Sequence, residues 1–289
     1  TPAPTATPTA VLYPLILADD EGTEVTIPAE PTRIVSLTPA TTEILFAIGA
    51  GDRVIATTDF DDYPPEAVDL PDVASYSAVD VEKIVGLEAD LVIAGGNHFN
   101  DPQAIERLRA LGIPVLVTYA PDVETVLADI ELIGRAVNRE EEASELTEAM
   151  RDGFAAVAEA TAGLGRPRVF YELDATQEIY TAADDSFLEE MIHLAGGDPI
   201  TTGSASDFSI PLERLVEADP EIIVLGDAAY GVTAESVAAR PGWSGMTAVR
   251  EGAIRPVDDI VVTRPGPRLV EGLRQLAEAI HPDAVLPGG

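Results

Sequence analysis

Between residues 138 and 165 a single apolar stripe runs without a break, and it decides much of what this chain can fold into. Ala143, Leu146, Met150, Phe154, Val157 and Thr161 recur every three or four residues with no proline among them, which is the spacing of an amphipathic helix. Asn138 suits the left-handed end of a preceding helix. Glu140, Glu141 and Glu142 then place carboxylates in a new first turn, where they offset the positive end of the macrodipole. Gly163, Gly165 and Pro167 stop the pattern before the strand-like Arg168-Val-Phe-Tyr-Glu-Leu173. At about 1.5 Å per residue the segment spans roughly 35 to 40 Å. With a parallel-sheet pattern on each side, it reads as a strut between two lobes.

Ahead of the strut, residues 12–17 and 23–27 read as an edge hairpin around Asp19-Asp20-Glu21-Gly22. Strands at 34–37, 53–57, 91–94 and 115–118 then alternate with helices at 41–48, 80–87, 102–111 and 123–137. Beyond it come strands at 169–173, 222–225 and 253–257 and helices at 186–195, 212–217 and 267–280, with two short helices between. Apolar strands joined by amphipathic helices predict parallel sheets covered on both faces. The expected fold class is therefore α/β, with two Rossmann-like lobes of mainly parallel sheet joined by one long interdomain helix. The expected division is a Thr/Pro-rich tether at 1–11, an N-terminal lobe at 12–137, the backbone helix at 138–165 and a C-terminal lobe at 166–289.

A chain of 289 residues with 46% hydrophobic and 24% charged residues fits two ordinary globular domains. Its opening Thr-Pro-Ala-Pro-Thr-Ala-Thr-Pro-Thr-Ala cannot bury a core. It reads as the spacer left after removal of a leader, which predicts an extracytoplasmic protein tethered to the membrane through this end. The formal charge is −34, and Lys83 is the one lysine among 17 basic residues, so nucleic acid is excluded as a partner. Cysteine is absent, which removes disulfides and thiolate metal sites together.

The lobes share an internal repeat. Val81-Glu-Lys-Ile-Val-Gly-Leu-Glu-Ala-Asp-Leu-Val-Ile-Ala-Gly95 aligns without gaps on Leu212-Glu-Arg-Leu-Val-Glu-Ala-Asp-Pro-Glu-Ile-Ile-Val-Leu-Gly226. Each is a short helix opening with acid then base, followed by a buried strand and a glycine.

Together with Arg33-Ile-Val-Ser-Leu-Thr-Pro-Ala-Thr-Thr-Glu-Ile-Leu-Phe-Ala-Ile-Gly49, Asp62-Tyr-Pro-Pro-Glu66 and Thr263-Arg-Pro-Gly-Pro-Arg268, these segments resemble the substrate-binding proteins of ABC importers for cobalamin, haem and ferric siderophores. The resemblance covers most of the chain from Asp19 to Pro282 and is closest to the vitamin B12-binding branch. It implies a monomer that holds a small-molecule ligand between two lobes, with a corrinoid as first choice and a ferric siderophore or haem as alternatives. It implies delivery to an ABC permease dimer in the membrane, with the ligand as cargo and no resident cofactor.

Ligands of open α/β sheets bind beyond the carboxyl ends of the strands, so the loops there supply the candidates. Thr38 and Thr41 open a helix whose N–H groups and hydroxyls suit a ligand amide, carboxylate or phosphate; the alternative is that Thr41 only caps it. Phe60 and Tyr76 are aromatics in polar loops and are expected as walls against a flat ligand, with Tyr63 packing beside Pro64 and Pro65. Asn97 and His98 lie in the loop after the strand at 91–94; His98 is either an axial ligand or simply exposed. His193 is expected at a core edge and His281 at a helix end. Tyr180 and Phe208 supply aromatics in the second lobe, with Glu172 and Tyr230 also at strand ends or in loops. Arg264 and Arg268 flank a helix start, where a cation opposes the macrodipole and needs a ligand or a carboxylate as partner.

The resemblance also implies that Glu82 and Glu213, equivalent in the repeat, meet arginines on the two permease subunits. That reading has Ile84, Val85 and Leu87, and Leu215 and Val216, facing the sheet. Walker, nucleophile-elbow and His-Glu-x-x-His signatures are all missing, so no catalytic residue and no metal ligand set is assigned. Two rivals stay open: a metal-dependent enzyme using His98, and a ligand sensor on the same scaffold.

Overall fold

The computed structural model describes residues 12–75 and 78–286; the 1–11 tract and Tyr76 lie outside the described residues. The chain divides into two compact units. The first runs up to Ala120 and resumes over Glu124–Ala149, and the second holds Pro121–Val123 and everything from Met150.

In the first unit, β1 (Leu15–Ala18) and β2 (Glu24–Ile27) pair antiparallel as a two-stranded sheet of their own. Then follow β3 (Ile34–Ser36), α1 (Pro39–Ala47), β4 (Val54–Thr58), β5 (Asp72–Ser75), β6 (Ala78–Val79) and α2 (Val81–Gly86). β7 (Leu91–Gly95), α3 (Pro102–Ala110), β8 (Val115–Thr118) and α4 (Val123–Ala136) continue the alternation. The main sheet has the order β6-β5-β4-β3-β7-β8, parallel except for β6. Every residue of β3, β7 and β8 is buried, as expected of strands covered on both faces. The hairpin is seated on the edge strand β8, where Asp20 N–H donates to Val117 O at 3.2 Å and Asp19 pairs with Arg109 at 2.9 Å.

α5 (Glu140–Thr161) has its first ten residues in the first unit and the rest in the second. It is shorter at both ends than the 138–165 stripe. Asn138 adopts φ 56° and closes α4, with Arg139 N–H reaching Gly134 O at 2.7 Å. Ala143, Met150, Phe154, Val157 and Thr161 are buried along the stripe, and Thr147 joins them.

In the second unit β9 (Arg168–Glu172), α6 (Phe187–Leu194), β10 (Asp198–Pro199), α7 (Leu212–Ala218) and β11 (Ile222–Leu225) follow in order. They are succeeded by α8 (Ala234–Ala238), α9 (Thr247–Glu251), β12 (Ile254–Pro256), α10 (Asp259–Thr263) and α11 (Leu269–Ile280). The sheet has the order β10-β9-β11-β12 and is parallel throughout. Its core gathers Phe170, Ile223, Leu225, Val237 and Trp243, with Phe170 and Trp243 edge to face at 6.0 Å.

The fold is α/β with mainly parallel sheets, as the strand–helix alternation predicts. β5, β6, β10 and α10 were not anticipated. The three strands are two to four residues long and α10 five, below the length at which periodicity carries a signal. One packing expectation is overturned: Val85 and Val216 are exposed rather than facing the sheet. Helices as short as α2 and α7 have one inward stripe, and Ile84 and Leu215 fill it.

Candidate functional site

The six-stranded and four-stranded sheets each have one place where the strand order reverses, and loops diverge from the carboxyl ends of the strands there. In the first unit this is at β3, with β4 on one side and β7 on the other. Thr38 caps α1 by accepting from Thr41 N–H at 3.1 Å, and Pro39 follows at the first helical position. Thr38, rather than Thr41, is therefore the cap. Both threonines are buried, and the Thr41 hydroxyl lies 2.6 Å from Ser36 Oγ and 3.0 Å from Thr38 Oγ1. These hydroxyls hold the turn in shape.

After β7 the chain turns through Asn97 and His98, both exposed and both left-handed at φ 51° and 63°. Asn100 pins this loop. Its buried carboxamide accepts from Gly95 N–H at 2.7 Å and donates to Leu37 O at 3.1 Å. Gly95 packs against the Thr38 methyl and Phe99, and Gly96 against Tyr119, so close that a β-carbon would crowd them. Phe99 and Tyr119, both exposed, thus join Thr38 and His98 at one edge. The sequence reading missed these two aromatics, although Phe99 sits in a polar loop just as Phe60 does. Phe60 is half-buried on a turn fixed by Asp61, which accepts from Thr58 N–H at 2.9 Å, and Tyr63 is exposed.

In the second unit the reversal lies between β9 and β11. Tyr180 bridges Asp174 and Ser209, and Thr181 N–H donates to Phe208 O at 2.9 Å, which sets Tyr180 and Phe208 on neighbouring segments. Phe208 is 47% exposed. The Tyr180 hydroxyl donates to Glu178 at 3.0 Å, and that bond, with the Glu178 charge, raises its pKa. Tyr230 is exposed at the end of a 3-10 turn, Asp227–Tyr230, that follows β11. Arg268 is the N-terminal cap residue of α11 and Arg264 the C-terminal cap of α10; both are half-buried and engaged with partners.

Beneath these loops lies a polar cluster that sequence reasoning did not assemble. Glu172 is fully buried and takes two bonds from Arg240, at 2.6 and 2.7 Å. Arg240 lies 4.7 Å from the Trp243 ring centroid. Burial, followed by the charge of Glu172, pushes the Asp227 carboxyl up to about 7. The Tyr171 hydroxyl donates to Asp259 at 2.7 Å, and burial raises the pKa of both.

The paired glutamates are on the surface. Glu82 is 88% exposed with Arg107 3.8 Å away, and Glu213 is exposed in the first turn of α7. His193 is exposed rather than at a core edge, its Nδ1 2.9 Å from Arg166, and His281 Nε2 lies 3.2 Å from Gly196 O. Among the described residues no group of three or more His, Cys, Asp or Glu is placed to hold a metal, and no helix is long and apolar enough to cross a membrane. An open pocket of about 630 Å³ in the second unit, lined by Arg166, Ser186, Glu189 and His193 among others, contains none of the residues expected to bind the ligand.

Residues 34–260 match the family described as periplasmic binding protein. An uncharacterized ABC transporter substrate-binding lipoprotein of Bacillus subtilis, YvrC, is 35% identical over 277 residues, 94% of this chain and 87% of the relative. A cobalamin-binding protein of Halobacterium salinarum is 31% identical over 283 residues, 94% of this chain and 75% of the relative. Among solved structures, the periplasmic haem-binding protein BhuT, in complex with two haems, superposes with a TM-score of 0.76 at 26% identity, covering 86% of this chain and 98% of that one.

Proposed function

From the premise that this chain belongs to the periplasmic binding protein family, we propose that it captures a corrinoid and hands it to its permease. It is an extracytoplasmic substrate-binding protein of an ABC importer, of the class that serves vitamin B12, haem or siderophores, with a small-molecule ligand and a permease partner. In our reading it acts as a monomer tethered to the membrane through its N-terminal segment, and the ligand is cargo rather than a cofactor.

The observation that carries the corrinoid reading is the likeness to the Halobacterium salinarum cobalamin-binding protein across 94% of the chain. Chemistry supports it. Haem brings two propionates and many ferric siderophores are anionic, whereas a corrin ring is edged with amides. A chain of formal charge −34, whose Arg264 and Arg268 already have partners, suits the amide-edged ligand better. Flat aromatics on the loops of each unit suit the ring: exposed Phe99 and Tyr119 in one, and exposed Phe208 with half-buried Tyr180 in the other. Thr38 and Thr41 shape the first unit's loop after β3, Phe60 follows β4, and Asn97 and His98 follow β7; Tyr76 belongs to the proposed set from its sequence alone. Arg264 and Arg268 complete the second. Glu82 and Glu213 stand outside this set and engage arginines of the permease.

The test is an absorbance titration of the purified protein with cyanocobalamin, haemin and a ferric siderophore. Saturable one-to-one binding of cyanocobalamin, at least tenfold tighter than the others, is expected. Tight haemin binding without cyanocobalamin binding would reassign the ligand.

A further inference from the structure

The reversal point of the second unit's sheet is filled by two buried carboxyl groups and one guanidinium. Glu172 ends β9, opposite Leu225 of β11, and is gripped by both terminal nitrogens of Arg240. Asp227 begins the turn just after β11, is 5% exposed, and neither of its oxygens receives an N–H or O–H donor from another residue. The charged and titratable groups facing Asp227 are Glu172 and Tyr171 on β9 and Arg240 after α8. Behind Tyr171 stand Asp258, just before α10, and Asp259 within it. Arg240 is the cation of this set, and Glu172 already occupies both of its terminal nitrogens.

Two ionised carboxylates so placed leave one negative charge buried without a donor from another residue, which is strongly unfavourable. A proton removes the conflict, because a carboxylic acid donates where a carboxylate only accepts. We propose that Asp227 carries this proton and donates it to Glu172, and that losing the proton to solvent frees the Asp227–Tyr230 turn, so that the loop presenting Tyr230 is held in place only on the acid side of a threshold.

The route to water is short. The turn ends at Gly231, which adopts φ 91°, and Tyr230 is 88% exposed with no core to anchor it. Swinging this turn takes an ionised Asp227 to solvent while β11 stays paired on both sides. Before that, the second charge draws Arg240 away from its position over Trp243, the chain's one tryptophan. The consequence for ligand capture rests on the proposed function, but the switch does not.

The experiment therefore uses ligand-free protein. Trp243 emission is followed from about pH 5 to 9 in the wild type, Asp227→Asn and Glu172→Gln, with hydrogen exchange of residues 227–231 measured alongside. The wild type is expected to show one sigmoidal change near neutrality, with exchange of the turn rising in the same window. Asp227→Asn, whose amide donates to Glu172 at every pH, is expected to keep the acid-side signal throughout. Glu172→Gln removes the second charge and is expected to lower the midpoint by about one pH unit or more. Flat wild-type emission, a transition that persists in Asp227→Asn, or an unmoved midpoint in Glu172→Gln would overturn the proposal. The last arm decides the matter if Asp227→Asn folds poorly.

Discussion

Asn100 and Leu37, 63 residues apart in the chain, are joined by a hydrogen bond of 3.1 Å from carboxamide to carbonyl. The same side chain accepts from Gly95 at 2.7 Å, so one buried residue fixes the loops after β3 and β7 to each other. In Asn100→Ala both backbone groups lose their partner in a dry site, at roughly 1 to 3 kcal/mol each. A total loss of about 2 to 6 kcal/mol in urea unfolding is expected. A loss below about 1 kcal/mol would mean that water replaces the carboxamide.

Phe208 is nearly half exposed and its backbone, not its ring, holds the Tyr180 segment. Phe208→Ala is therefore expected to weaken cobalamin binding by about 1 to 3 kcal/mol while leaving the apo melting temperature nearly unchanged. Comparable losses in both would make the ring part of the core.

For Glu82 and Glu213 the expectation is the reverse pattern. Single alanine variants keep ligand affinity and slow uptake into proteoliposomes bearing the permease, and the double variant slows it further. Surface acids in a first helical turn contribute only about 0.3 to 1 kcal/mol to stability, too little to explain lost transport. Full transport by the double variant would remove the docking role.

Gly272 sets two effects against each other. Alanine in a helix interior is better than glycine by about 1 kcal/mol. Here the added carbon would collide with the Val261 carbonyl, which belongs to the backbone of α10 and cannot swing aside. Overpacking costs about 1 to 3 kcal/mol or more. Gly272→Ala is thus expected to lower the melting temperature, and a rise would show that α10 yields.

Stability should depend on pH through Asp227 with a definite sign. Its pKa is about 7 in the folded protein against 3.8 for the free group. The folded state therefore holds a proton that the unfolded chain has lost across that window. The stabilisation is complete below about 4, falls as pH rises, and is gone above about 7. The urea midpoint of the wild type, measured against Asp227→Asn, should fall across pH 5 to 7 and then level off. A constant difference would mean the carboxyl is ionised throughout.

The long helix was legible because twenty-two residues repeat one stripe often enough to outweigh local exceptions such as Thr147. Strands such as β7 and β11, apolar along their whole length, announced parallel pairing. Val85 and Val216 misled because hydrophobicity without several turns of periodicity does not say which side is inward. At the site, single residues in loops could be singled out, but not their neighbours. Glu172 closing an apolar strand was a visible oddity, whereas Arg240 lies 68 residues away and only the fold brings it back. Tyr119 next to Gly96 is the same case, a contact made by β7 and β8 lying side by side.

Hydrogen exchange of the protein with and without cyanocobalamin tests the central claim most directly, because it reads the loops themselves. Corrinoid capture predicts slowed exchange together at residues 96–99 and 119 of the first unit and at 178–180 and 206–209 of the second, with the edge hairpin at 15–27 unchanged. Protection confined to one unit, or none at saturating cyanocobalamin, would contradict it.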